Sequence, residues 1–156
     1  MNIFDSYTHK VLSALLKHNV QFIVVGGYAV NYHGYKRTTG DIDLLLKPDN
    51  GENKTKLLNS LRELEIEDET LSALNQLNFE KPQVFMDGEE PFKIDFLTKI
   101  SGVEFEDAWK LKIEATYDNL NIPFLSYNHL ILSKITSTRG KDKIDIEELQ
   151  KIKKLL

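Results

Sequence analysis

The sequence predicts a mixed α/β (α+β) fold, and three observations support this prediction. Apolar residues recur at helical spacing near the amino terminus and again after the second predicted strand. Short runs rich in aliphatic residues, such as QFIVV and DIDLLLK, stand between the helical segments. The length of 156 residues suits one domain over residues 1–156, because it allows a substantial core and is short for two domains.

The first half of the chain alternates helices and strands. Residues 4–18 place apolar side chains on one helical face, and the aliphatic run at 21–25 predicts a buried strand that ends at a Gly-Gly pair. A short helix stopped by Gly34 and a strand closed by Pro48 follow. The predicted elements are helices at 4–18, 28–35, 53–64 and around 70–77, and strands at 21–25 and 41–47.

The second half predicts three strands and two helices. Alternation of apolar and polar residues predicts a half-buried strand at 91–98. Residues 108–126 predict a strand, an Asp-Asn turn and a second strand. A helix over 126–140 begins at a capping Ser126 and ends at Gly140, and a last helix occupies 141–156.

Composition narrows the functional classes. The chain contains no cysteine, which excludes disulfides, thiolate zinc sites and cysteine nucleophiles. No apolar run approaches the roughly 20 residues of a membrane span. The amino-terminal residues intersperse charge with apolar positions and do not resemble a signal peptide. We therefore expect a cytoplasmic protein that does not enter the membrane.

Three carboxylates are the strongest indication of chemistry. Asp41 and Asp43 are two residues apart in a predicted strand, so their side chains share one face. Asp95 lies between apolar neighbours in another predicted strand and joins them if the two strands are adjacent. Clustered carboxylates repel one another unless a cation neutralises them, and Mg²⁺ or Mn²⁺ prefers such oxygen ligands. We therefore expect a metal site at Asp41, Asp43 and Asp95 that handles phosphates.

A purely structural reading of the acids competes with this one. Asp41 could cap the turn after Gly40, and Asp43 could lie on a solvent-facing strand edge. The upstream pair Gly26-Gly27 favours the functional reading, because glycine lets backbone N–H groups approach an anion at a helix start.

These residues carry a family resemblance. The order of an apolar strand, Gly-Gly, Asp-x-Asp in a strand and a later strand Asp resembles the polymerase-β-type nucleotidyltransferase superfamily. The stretches GGYAVNYHGYKRTTGDIDLLL, FEDAW and LSYNHLILSKITSTRGKDKIDIEEL are similar to short bacterial nucleotidyltransferase-like proteins related to toxin and antitoxin nucleotidyltransferases. The likeness runs from about residue 20 to residue 150. It implies the nucleotidyltransferase fold, a mixed central sheet flanked by helices.

The resemblance also implies an activity and residue roles. The activity is metal-dependent transfer of a nucleoside monophosphate from an NTP such as ATP to an acceptor hydroxyl. Asp41 and Asp43 would bind Mg²⁺ or Mn²⁺, and Asp95 would help to activate the acceptor. Lys134 and Asp142 match nucleotide-site positions of the toxin-like relatives, although Asp142 is equally a partner for a helix dipole.

Two nucleotide-binding predictions rest on the glycine turn and its surroundings. Gly26 and Gly27 offer backbone amides to the phosphates, but many members of the superfamily have Gly-Ser at this place. Arg37 could pair with a carboxylate or contact the triphosphate through two hydrogen bonds, and a surface arginine in a turn is an equally good reading.

Alternative functions remain open at this stage. A non-catalytic module of the same fold, an antitoxin or partner subunit that binds another protein, is the main alternative. A metal-dependent nuclease or phosphohydrolase would also use an acid cluster. The acceptor of a transferase could be RNA, a protein or a small molecule, because recognition lies outside the shared motif.

Overall fold

A computed structural model describes residues 4–88, 93–137 and 139–155. Within these residues the chain forms six strands and seven helices. The strands are β1 (Phe22–Val25), β2 (Ile42–Leu46), β3 (Val84–Asp87), β4 (Ile94–Leu97), β5 (Ile113–Tyr117) and β6 (Leu120–Phe124). The helices are α1 (Ser6–Lys17), α2 (Gly26–Tyr32), α3 (Glu52–Glu63), α4 (Asp68–Gln76), α5 (Phe105–Leu111), α6 (Tyr127–Ile135) and α7 (Gly140–Lys154).

The strands form one mixed sheet in the order β3-β4-β2-β1-β6-β5. The pairs β2–β4 and β1–β6 are parallel, whereas β1–β2, β3–β4 and β5–β6 are antiparallel. The mixed α/β class and the mixed sheet with flanking helices are therefore confirmed. Strand β2 lies beside β4, so the strands that carry the predicted acids are neighbours.

Helices cover both faces of the sheet. Buried side chains of α1, α3 and α4 pack with Ile42 and Leu44 of β2 on one face. Side chains of α2, α5, α6 and α7 pack with Leu45 of β2 on the other face. Because successive strand residues point to opposite faces, Asp43 lies on the side of Leu45, beneath α2, α6 and α7.

The prediction of a strand at the start of the 108–126 segment is wrong. Helix α5 occupies Phe105–Leu111, and the hairpin of β5 and β6 follows it. The alternating pattern WKLK was misleading, because Leu111 is 61% exposed while Phe105 and Ala108 are buried at helical spacing. The predicted Asp-Asn turn is confirmed, with Asp118 and Asn119 at φ values of 49° and 67°, as the hairpin turn requires.

Gly140 does not end a helix, contrary to the prediction. Helix α6 ends at Ile135, and Gly140 is the first residue of α7. The break between the helices is held by Ser137 and Arg139, whose side chains donate hydrogen bonds to Asp142 in the first turn of α7. Ser126 caps α6 as predicted and accepts a hydrogen bond from the backbone N–H of His129.

Other boundaries differ by a few residues or lie outside the described part. Helix α2 begins at Gly26, two residues earlier than predicted. Strand β4 occupies the second half of the predicted 91–98 strand, and residues 91 and 92 lie outside the described residues. Residue 138 of the predicted 126–140 helix and residue 156 of the last predicted helix also lie outside them. Edge strand β3 was not predicted from the sequence. No helix in the described ranges combines the length and apolar character that crossing a membrane requires.

Candidate active site

The sheet register brings Asp43 and Asp95 together. Asp43 pairs with Asp95 across the parallel strands β2 and β4, and with Val25 across β1. Burial and the adjacent charge of Asp95, with which it shares a hydrogen bond, raise the pKa of Asp43 to about 7. Asp41 repels the ionised form further, whereas Arg139 offsets part of the rise. A substantial fraction of Asp43 carboxyl groups is therefore protonated at neutral pH.

Asp41 is linked to this pair through a lysine. The Lys93 ammonium lies 3.3 Å from Asp41 Oδ2 and 3.8 Å from Asp95 Oδ1. Both Asp41 Oδ1 and Asp95 Oδ1 are buried without a hydrogen-bond partner among the described residues. Buried carboxylate oxygens without partners are costly, so these two atoms suit a cation.

The Gly-Gly pair allows α2 to start in close contact with the acids. Gly26 has a φ of +65°, and a Cβ there would lie 2.1 Å from Asp43 Oδ2. A Cβ on Gly27 would lie 2.3 Å from Thr39 Oγ1, on the far side of the helix start. Glycine is therefore required by packing at both positions, whatever these residues bind. At position 27 the Thr39 hydroxyl fills the space that a serine side chain would need.

Lys134 belongs to a buried ionic network between α6 and α7. Its ammonium lies 2.7 Å from Asp142 Oδ1 and 2.9 Å from Asp145 Oδ2, and the lysine is 5% exposed. Burial alone would raise the pKa of Asp142, but hydrogen bonds from Arg139, Lys134 and Ser137 hold that pKa well below its usual range. Lys134 and Asp142 therefore lie together and form an ion pair with each other.

Arg37 joins the same network from the other side. Its guanidinium makes two hydrogen bonds to Asp145, Nε to Oδ1 at 2.9 Å and Nη2 to Oδ2 at 3.1 Å. Of the three readings of Arg37, the structure shows the pairing with a carboxylate. A fork of this kind is a strong and directional contact. It fixes the segment that precedes β2 against the last helix.

These elements enclose a cavity of about 350 Å³. One wall carries Asp43, Asp95 and Gly26, and the opposite wall comes from α6, α7 and their connection. The polar residues of that wall are Ser133, Lys134, Ser137, Arg139 and Asp142. Three of the predicted site residues do not line this cavity in the described structure: Gly27, Arg37 and Asp41. The cavity thus opposes carboxylates with cationic and hydroxyl groups, and its volume lies in the range of small-ligand sites.

The acids have the chemistry of a metal site but not the arrangement of one. In residues 4–88, 93–137 and 139–155, no three His, Cys, Asp or Glu side chains are grouped closely enough to hold one metal ion. The oxygen donors and the two unpartnered atoms fit Mg²⁺ or Mn²⁺. Shared metal binding by Asp41, Asp43 and Asp95 stays a prediction.

Sequence reasoning did not assign three residues that the structure places at the site: Lys93, Arg139 and Asp145. Lys93 is two residues before Asp95, so the strand parity that paired the acids would also have put it on their face. Asp145 follows Asp142 by three positions and therefore shares its helix face. Arg139 lies near Asp43, and its spacing of three residues from Asp142, which allows an ion pair, could have indicated it.

Two solved structures share this architecture. The crystal structure of the lincosamide antibiotic adenylyltransferase LnuA, lincomycin-bound, superimposes with a TM-score of 0.53 and 16% identity, over 96% of this chain and 98% of that chain. The solution structure of the antibiotic-resistance factor ANT(2'')-Ia superimposes with a TM-score of 0.53 and 15% identity, over 91% of this chain and 80% of that chain. At this identity the likeness concerns the fold, which is the nucleotidyltransferase fold.

Sequence comparison gives the family. No curated protein sequence matches the chain significantly. A family model described as "Nucleotidyltransferase of unknown function (DUF6036)" matches residues 6–155. The match covers nearly the whole chain and includes every residue of the cavity. The chain belongs to this nucleotidyltransferase family.

Proposed function

We propose that this nucleotidyltransferase is metal-dependent and transfers a nucleoside monophosphate from an NTP to an acceptor hydroxyl. The observation that carries the proposal is the cavity in which Asp43 and Asp95 face Arg139, Lys134 and two serine hydroxyls. A wall of acids suits a metal ion, and a wall of cations and hydroxyls suits phosphate oxygens. LnuA is named an adenylyltransferase, which makes ATP the first nucleotide to test.

The metal would be held by Asp43 and Asp95, with Asp41 as the third ligand. The pairing of β2 with β4 fixes the first two side chains, and Asp41 directly precedes β2. When bound, Mg²⁺ or Mn²⁺ would supply charge neutralisation for the attacking and leaving oxygens. The unpartnered oxygens of Asp41 and Asp95 are the atoms that would gain most from such an ion.

The nucleotide would lie between the start of α2 and the α6–α7 connection. Gly26 brings its backbone against Asp43 without a side chain to block the phosphates, and Gly27 continues this turn. Arg139 is 60% exposed at its side chain and lies near Asp43, so it can reach a phosphate. Lys134, Asp142 and Arg37 would contribute by holding this wall in place, because their charges are paired with one another or with Asp145.

The proposed reaction is an in-line displacement at the α-phosphorus. The acceptor oxygen forms a bond to phosphorus, the bond to the bridging oxygen of the β-phosphate breaks, and pyrophosphate leaves. The hydroxyl proton passes to a carboxylate, and Asp95 is our candidate because it faces the cavity beside Asp43.

The test is transfer of label from each α-labelled NTP, with Mg²⁺ or Mn²⁺ and with RNA, protein extract or small hydroxyl compounds as acceptors. We expect transfer by the wild type and a loss of two orders of magnitude or more, on the order of a removed metal ligand, in Asp43→Asn and Asp95→Asn. Asp107→Asn is the matched control, because Asp107 is an exposed acid on α5. Equal activity of the wild type and both site variants, or no transfer to any acceptor class, would refute the proposal.

A further inference from the structure

Lys93 occupies a central position among the acids. Its ammonium lies 3.3 Å from Asp41 Oδ2 and 3.8 Å from Asp95 Oδ1, so one cation bridges two of the three carboxylates. The three side chains are partly buried, with exposed fractions of 23% for Lys93, 26% for Asp41 and 19% for Asp95. Such pairs are less screened by water than surface ion pairs.

The backbone fixes this arrangement. The Lys93 carbonyl accepts a hydrogen bond from the Ile42 N–H at 3.2 Å, directly before the paired residues Ile42 and Ile94 of the parallel strands. The parity of the strand then directs Lys93 to the face of Asp95, two residues on. The pairing of β2 with β4 thus places the backbone of Lys93 next to that of Asp41 and Ile42.

The lysine would compete with a divalent ion for two of the acids. An ion bound by Asp41 and Asp95 would use the same two carboxylates that the ammonium now neutralises. Two cations cannot share these oxygens at close range, because their mutual repulsion is strong in a partly buried site. The ammonium also leaves Asp41 Oδ1 and Asp95 Oδ1 without hydrogen bonds, so it compensates the acids incompletely.

We propose that Lys93 is a built-in counter-cation that holds Asp41 and Asp95 in the metal-free protein and is displaced when a divalent ion enters. The inference rests on the proposed function, since it assumes that these acids bind the ion. Lys93 thereby sets the metal affinity of the site: its contacts must be broken before the acids can close around the ion. The same contacts stabilise the protein while no metal is bound.

The experiment measures Mn²⁺ binding by calorimetry and by the electron paramagnetic resonance signal of free Mn²⁺. We expect Lys93→Met to bind Mn²⁺ more tightly than the wild type, by on the order of tenfold, because the competing charge is gone. Its melting temperature in EDTA should fall, and added Mn²⁺ should raise it more than in the wild type. Lys93→Arg, which keeps the charge, should retain an affinity close to that of the wild type.

Lys99→Met is the matched control, because Lys99 also lines the cavity and its replacement removes the same charge. A gain in Lys93→Met that exceeds the gain in Lys99→Met supports displacement. Equal gains would mean that only the general charge of the site matters, and would overturn the inference. An unchanged or weaker Mn²⁺ affinity in Lys93→Met would also overturn it.

Two further variants separate this inference from the proposed function. If Asp41→Asn and Asp95→Asn lose Mn²⁺ binding while Lys93→Met gains nothing, the metal site is supported and only the role of Lys93 fails. If the two Asp variants bind Mn²⁺ as the wild type does, the metal site itself is wrong and the inference fails with it. If neither the wild type nor Lys93→Met binds Mn²⁺, the metal site is likewise wrong and the inference fails with it.

Discussion

Asp43 is the residue on which the site depends most. It lies between Val25 and Asp95 in the sheet and against Gly26, so its carboxyl has little freedom to move away from its neighbours. Burial and the charge of Asp95 raise its pKa to about 7. A carboxyl held in this way is destabilising when it ionises without a cation, and its retention in the fold is consistent with a functional role.

A pH-dependent stability follows for the metal-free protein. The pKa of Asp43 is higher in the folded chain than in the unfolded chain, so the folded state binds the extra proton between about pH 4 and pH 7. Stability from this group is present below that window and is lost as the pH rises to 7. Asp43→Asn has no such proton to lose, so in EDTA its melting temperature relative to the wild type should be higher at pH 8 than at pH 5.

Melting curves at the two pH values measure this difference. Asp107→Asn is the control for removal of an exposed acid and should follow the wild type at both. A gain for Asp43→Asn that is the same at pH 5 and pH 8 would show that the carboxyl titrates normally in the folded protein.

Among the elements, α2 begins in close contact with two neighbouring side chains. It starts at Gly26 between Asp43 on one side and Thr39 on the other. The sequence indicated the glycine turn but placed the helix two residues later, because Gly-Gly is a poor helix start by intrinsic preference. These contacts explain why glycine occupies both positions. They leave no room for a Cβ, so packing outweighs the low helix propensity of glycine.

The contact at Gly27 gives a prediction about stability. Gly27→Ala would place its Cβ 2.3 Å from Thr39 Oγ1, so we expect a loss of about 1–3 kcal/mol from overpacking. Removing the hydroxyl by Thr39→Ala in the same chain should recover part of this loss, which denaturant unfolding of the double variant would measure.

Gly40→Ala is the matched control, since no atom lies within 4 Å of the Cβ that it would add. This variant should unfold at nearly the same denaturant concentration as the wild type. If Gly27→Ala were as stable as Gly40→Ala, the close approach of α2 to the 37–39 segment would be incorrect.

At the scale of the whole molecule, the sequence predicted local order better than long-range contacts. An aliphatic run identified β2 and the period-2 pattern identified β4. Side-chain parity placed Asp41 and Asp43 on one face, but whether Asp95 joined them depended on the pairing of β2 with β4, which the structure shows. Strand β3 was missed because its outward residues Val84 and Met86 are apolar, with 65% and 63% exposure, which hides the expected alternation.

The ionic network in the cavity wall formed by α6 and α7 could not be predicted from local sequence patterns. Arg37 meets Asp145 across more than a hundred residues, and Lys134 meets both Asp142 and Asp145 between two helices. Such partners are set by the packing of α6 and α7 on the sheet and leave no periodic trace. The prediction of a strand where α5 lies failed for a related reason. Burial of Phe105 and Ala108 against the sheet outweighed the alternation of WKLK.

The central claim is that metal and nucleotide bind in the cavity between the acids and the α6–α7 wall. A crystal structure with Mn²⁺ and a non-hydrolysable ATP analogue tests it directly. We expect an anomalous peak about 2.0–2.2 Å from carboxylate oxygens of Asp43 and Asp95, with the triphosphate beside Gly26 and Arg139. Nucleotide bound elsewhere, such as in the hollow of about 400 Å³ beside Tyr28 and Tyr32, with no Mn²⁺ at the acids, would contradict the account.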